Sequence, residues 1–285
     1  MVDAVLFQTR DAELNAEPDA ELDDWVPELP PTDLIFDDGE PLETNRHRVA
    51  MNVLIRSYQQ YRGDETDFYT GGNMFIYYST TQAKNRDFRG PDFFVVLEVE
   101  GSRSRQGWVT WEEDGRYPDV IIELMSASTA HIDVGVKKEL YDRVFKTQDY
   151  FVYNPFKPQS LRGWHRTETY QDIQPDSRNW LWCKALGLWV GTWEGTIDRE
   201  TTSWLRFYDS TGALVLLPEE AAKQQAEAET QRAEAETQRA EAEAQRAEME
   251  AQRAEAEAQR AEMEAQRADR LAQRLRELGE NPDLI

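Results

Sequence analysis

The chain has 285 residues, 55 acidic and 32 basic side chains, a net charge of −23, nine Trp and one cysteine. With 40% hydrophobic residues it can build a core, while the lone Cys183 excludes an intrachain disulfide and a cysteine-based metal cluster. No apolar run reaches the ~18 residues of a membrane span and Met1–Arg10 lacks the layout of a secretory leader, so a soluble, cytoplasmic protein with no membrane partner is expected.

The charge is unevenly spread. Residues 1–44 hold fourteen acidic and one basic side chain, and residues 219–285 hold eighteen and ten. Residues 45–218 hold 23 and 21, so the middle is close to neutral between two acidic arms. Nucleic-acid binding is dominated by Lys and Arg, and whether it is excluded must be judged on that middle.

Residues 1–42 are rich in Asp, Glu and Pro and predict an extended or disordered arm, from which Trp25, Leu34, Ile35 and Phe36 could dock on the body. Thr44 is a candidate N-cap for a helix to Tyr61, with Met51, Leu54, Ile55 and Tyr58 on one face. Gly71-Gly72 breaks the chain. The aromatic and β-branched runs 73–79 and 92–99 read as strands, 101–118 as a loop or extended hairpin, and 119–125 (DVIIELM) as a strand covered on both faces. Residues 133–145 read as a helix capped by Asp133, and 150–154 as a strand stopped by Pro155. The order α-β-β-β-α-β predicts a mixed-sheet α/β core over residues 43–158.

Residues 159–217 are aromatic, Gly-punctuated and strand-like, and predict a β-meander extending the same domain. Its aromatics are expected in a core rather than stacked on bases. Residues 219–279 lack Pro and internal Gly, and repeat the heptad QRAEAEx from Gln231. They predict a helix of roughly 90 Å at 1.5 Å per residue. Ala233, Thr237, Ala240, Ala244 and their successors recur every 3.5 positions, the spacing of a coiled coil. Small Ala knobs bury little, so a solitary helix supported by Arg232–Glu236 and Glu236–Arg239 pairs stays open beside self-association.

Phosphate-loop, dinucleotide and nucleophile-elbow motifs are missing, and His47, His131 and His165 lack zinc-ligand spacing. What remains is acidic. Asp92 opens a strand in RGPD (89–92) and Glu123 ends the next in PDVIIEL (118–124). On neighbouring strands the two could hold Mg²⁺ or Mn²⁺, which take carboxylates and waters. Asp119 shares the face of Glu123 but sits about 13 Å along the strand, so Asp92 is the better partner. Lys137 shares a helix face with Asp133 and Tyr141 and is the candidate to orient water or offset phosphate charge. Arg46, Arg48, Arg86, Arg89, Arg103, Arg105 and Arg116 could form a basic surface.

The runs PDVIIELMSAST (118–129), DVGVKKELY (133–141) and DYFVYNP (149–155), with RGPDFFVVLEV (89–99) and LETNRHR (42–48), resemble the Uma-two family. That family of restriction-endonuclease-like proteins belongs to the PD-(D/E)XK nuclease superfamily. The resemblance covers about residues 40–215, and heptad tails like this one occur on some members. It implies a restriction-endonuclease-like fold and a metal-dependent endodeoxyribonuclease acting on DNA, with Asp92 and Glu123 on the metal. Lys137 would be the family's helix-borne lysine and Tyr141 its accompanying tyrosine, while Glu43 could match an acid on the first helix. The superfamily's lysine after Glu123-Leu124 is here Met125, which leaves that role to Lys137, with Lys138 in reserve. A catalytically weak or inactive nuclease-fold binding or assembly module, oligomerised by its coiled-coil tail, is the rival reading, and on either reading a homodimer through core, tail or both is expected.

Overall fold

The computed structural model describes residues 29–36, 44–85, 89–126 and 130–279. Helix α1 spans Asn45–Arg62, and the Thr44 hydroxyl accepts from the His47 N–H at its start. The short strand β1, Phe68–Gly71, follows, then β2 (Ile76–Tyr77), α2 (Thr80–Lys84), β3 (Phe93–Leu97), β4 (Trp108–Val109) and β5 (Val120–Leu124). Residues 130–145 form one helix, α3, in which α and π turns alternate. After it come β6 (Asp149–Asn154), β7 (Lys157–Arg166), β8 (Tyr170–Asp172), β9 (Leu181–Cys183), β10 (Leu188–Ile197), β11 (Glu200–Tyr208) and the helix α4, Pro218–Glu277.

Six strands form the main sheet in the order β1-β3-β5-β6-β7-β8. All neighbours are antiparallel except β5 and β6, which are parallel and joined by α3. One face packs Phe93, Val95, Val120, Ile122 and Phe151 against Val53, Leu54 and Tyr58 of α1 and against Leu205 and Phe207 of a second sheet, β11-β10-β9. The other packs Phe94, Ile121, Tyr150 and Val152 against Tyr141 and Phe145 of α3 and against Ile76 and Trp108 of the β2–β4 pair. Covered on both sides, β5 is buried along its whole length, which is why its sequence is almost continuously apolar.

The α-β-β-β-α-β order is present as α1, β1, β3, β5, α3 and β6, but its first strand is not 73–79. That run contributes only Ile76 and Tyr77, paired with β4 in a parallel two-strand unit; Asn73 has φ 47° and Ser79 caps α2. The sheet-edge strand is Phe68–Gly71, where a Cβ on Gly71 would lie 2.3 Å from the Phe94 ring. The expected loop 101–118 contains β4 and a 3-10 turn. The expected meander divides: β7 and β8 extend the main sheet, while β9 to β11 form the second one. Trp164, Trp204 and Phe207 are buried, and Trp180 stacks on Tyr208 at 3.7 Å. In the arm, the Ile35 N–H donates to Tyr77 Oη, which donates back to the Ile35 carbonyl, and Phe36 meets the Tyr77 ring edge-on. Trp25 lies outside the described residues.

The tail is held at its first turn. Arg206 is fully buried, and its Nη1 and Nη2 donate to Glu220 at 3.1 and 2.6 Å while Nη2 also reaches the Val215 carbonyl. Glu220 accepts the Leu217 N–H as well, the carboxylate half of a capping box, since the leucine side chain has no acceptor to supply the other half. From residue 222 to residue 271 the side chains of α4 are exposed, including Met249 and Met263. Among the described residues no helix is long and apolar enough to cross a membrane.

Burial alone would raise the Glu220 carboxyl, but Arg206 and the Leu217 N–H hold it below its usual 4.5. A lowered carboxylate stabilises the fold above its unfolded value and loses that contribution as pH falls through the folded one. Glu220→Ala strips the buried guanidinium of its counter-charge and should cost about 3–5 kcal/mol at pH 7 in denaturant titrations. Glu219→Ala breaks only the exposed pair with Arg56 and should cost about 0–1 kcal/mol. The gap between the two variants should shrink as pH falls below 4.5.

Candidate active site

Strands β3 and β5 pair with Phe93 opposite Ile122 and Phe94 opposite Ile121. One step beyond, the same register sets residue 92 against residue 123. Strand side chains alternate: Phe94, Val96 and Ile121 face α3, so Asp92 and Glu123 face it too. The glycine before this edge is set by packing, since a Cβ on Gly72 would lie 2.9 Å from the Asp92 carbonyl.

Glu123 is 1% exposed. Its Oε1 accepts from the Tyr141 hydroxyl at 2.8 Å, and its Oε2 lies 3.1 Å from Lys137 Nζ. The same Nζ lies 2.9 Å from Asp133 Oδ1. Asp92 Oδ2 accepts the Leu124 N–H at 2.7 Å. Tyr150 donates its hydroxyl to the Asp133 carbonyl, pinning this turn of α3 to β6.

Burial and the neighbouring Glu123 push the Asp92 carboxyl well above its usual 3.8. Burial would lower the Lys137 ammonium, but Glu123 and Asp133 outweigh it and hold the charge firmly on. Burial and Glu123 raise the Tyr141 phenol, which stays a donor. Three carboxylates share one ammonium in a largely dry place, leaving negative charge in excess.

The structure brings Asp92, Glu123, Lys137 and Tyr141 together and leaves Asp119 apart. Asp119 ties strands at the other end of β5, accepting from the Leu97 N–H at 2.8 Å and from Gln148 at 2.9 Å. Lys138 turns away, with its Nζ 4.3 Å above the Trp164 ring. Glu43 lies outside the described residues. Asp133 is not an N-cap: the helix turns begin at Ala130, whose N–H donates to the Ser126 carbonyl, and the Asp133 carboxylate points at Lys137. Its spacing four before Lys137 signalled this, and the cap reading obscured it. Four of the arginines named in the sequence are paired with acids. Arg46 pairs with Glu200, Arg103 and Arg105 with Glu113, and Arg116 with Glu98, while Arg86 is outside the described residues. His165 pairs with the buried Asp149.

Among the described residues no three His, Cys, Asp or Glu side chains form a ready metal cluster. Mg²⁺ needs only one or two carboxylates, completed by waters. Asp92 and Glu123, cross-strand neighbours with excess negative charge, fit that requirement.

The family described as "Uma2: Putative restriction endonuclease" matches residues 19–193. Among solved structures the chain is similar to a putative nuclease belonging to DUF820 from Anabaena variabilis ATCC 29413, at 15% identity and TM-score 0.35, covering 52% of this chain and 82% of that one. No curated protein matches the chain.

A carboxyl raised in the folded state binds its proton more tightly there than when unfolded, so stability falls as pH rises from 3.8 through the folded value. Asp92→Asn keeps an acceptor for the Leu124 N–H and removes this cost. In a chelator at pH 8 its melting midpoint should exceed that of the unaltered chain, and the advantage should fade toward pH 4.

Proposed function

Since this chain belongs to the Uma2 family, whose fold is the restriction-endonuclease-like one, we propose that it is a metal-dependent endodeoxyribonuclease hydrolysing DNA phosphodiester bonds in line. The observation that carries this reading is the meeting of Asp92, Glu123 and Lys137 at the open end of the β3–β5 ladder, with Lys137 Nζ 3.1 Å from Glu123. Asp92 and Glu123, with the Leu124 carbonyl, would hold Mg²⁺ or Mn²⁺. Such an ion supplies an activated water and charge for the leaving oxygen. Tyr141 fixes the rotamer of Glu123 by donating to it. Lys137, charged and partly exposed, meets the scissile phosphate and offsets its charge.

The net charge of −23 does not oppose this reading, because the folded middle is close to neutral. Binding would be weak and salt-sensitive, since most of the arginines named above are already paired with acids. Those pairs also keep the second reading in play, a nuclease-fold assembly module. Self-association through α4 would work against its own charge: Glu234, Glu236 and their repeats flank the Ala seam on both sides, so two copies would oppose Glu to Glu. A dimer through the core, in a cytoplasmic protein, is the form we favour.

Plasmid cleavage with Mg²⁺ or Mn²⁺ tests the nuclease reading. Asp92→Ala and Lys137→Ala should each slow it by at least about 100-fold, and unchanged cleavage in both sinks the assignment. Calorimetric titration with Mn²⁺ separates the module, for which a folded chain takes up no metal. Light scattering at pH 7 should give one oligomeric state at low salt, and a larger one at 1 M salt would instead show tail pairing released by screening, at a Debye length of about 3 Å.

A further inference from the structure

The carboxylate that the nuclease reading leaves without a task is Asp133. It is 1% exposed and caps nothing. Its Oδ1 makes no well-aligned hydrogen bond, and its compensation there is the ammonium of Lys137 at 2.9 Å. The backbone that carries it is tied to β6, because the Asp133 carbonyl accepts from the buried Tyr150 hydroxyl. Lys137 is the opposite kind of group, a compact charge on a flexible four-carbon stem, partly exposed and poised between two acids at 3.1 and 2.9 Å.

We propose that Asp133 is a positioning residue, a second seat that receives the Lys137 ammonium when a divalent cation claims Glu123. The inference rests on the metal-dependent reading above and deepens it. In the metal-free site the ammonium neutralises Glu123 and so competes with any cation for it. A cation on Asp92 and Glu123 repels the ammonium, which must leave Glu123. With Asp133 in place it moves only as far as the carboxylate it already touches, and stays beside the site. Without Asp133 the one carboxylate in direct contact with it is Glu123, and it holds that carboxylate against the metal.

This gives a sign for each variant that a structural role alone does not. Mn²⁺ affinity of the full chain, measured by calorimetry after circular dichroism has established folding, is the readout. Lys137→Met removes the competitor and should tighten binding. Asp133→Asn removes the second seat and should weaken binding by about tenfold or more. In the Lys137→Met background Asp133→Asn should have no effect, since no ammonium remains to be seated. Glu123→Gln should abolish binding in every background.

Equal weakening by Asp133→Asn with and without Lys137, or no weakening at all, overturns the inference while leaving the metal site standing. Failure of Lys137→Met to tighten binding does the same, and that variant decides alone if Asp133→Asn does not fold. No Mn²⁺ uptake by the unaltered chain, or uptake insensitive to Glu123→Gln, overturns the metal-dependent reading and this inference with it.

Discussion

A carboxylate buried inside a sheet that is covered on both faces must be answered by charge and hydrogen bonds, because an unanswered one costs several kcal/mol. Glu123 is that group, and much of the architecture answers it. The β5–α3–β6 crossover lays α3 across the face on which Glu123 stands, and α3 supplies the Tyr141 hydroxyl and the Lys137 ammonium. β3 supplies Asp92 one step past its last paired residue, close enough that Glu123 raises its carboxyl. The apolar surroundings make the site expensive, since three acids are left to one lysine.

The core strands were legible because their burial is extreme. A strand covered on both faces has to be written almost entirely in apolar letters, so a single acid within it, as at Glu123, stands out. The α1 cap at Thr44 and the long tail were legible for local reasons, a hydroxyl before an apolar-periodic run and an unbroken heptad of helix formers. Edge elements were not. Phe68–Gly71 is four residues long, and what marks it as sheet is a contact between Gly71 and the Phe94 ring, which are far apart in the chain. The richer run 73–79 drew the assignment instead.

The site showed the same division. Asp92 and Glu123 could be paired on paper because strand parity and neighbour order suffice. Asp133 could not be told from a helix cap, because Asp at a helix start carries both meanings and the helical turns begin earlier, at Ala130. The arginines were legible only as a count. Glu113, Glu200 and Glu98, which consume several of them, come from loops and from the second sheet, where no periodicity announces which partner is near.

One feature acts at the scale of the whole particle. The Arg206–Glu220 pair fuses the start of α4 to the second sheet, so a helix of 60 residues leaves the body in one fixed direction. At 1.5 Å per residue it is a rod of about 90 Å on a chain of only 33.1 kDa. Friction in solution follows the longest dimension, so the molecule tumbles and diffuses like a much heavier sphere. A single copy will therefore elute from a sizing column at the volume of a compact dimer, and only a method that reads mass independently of shape will count its copies correctly.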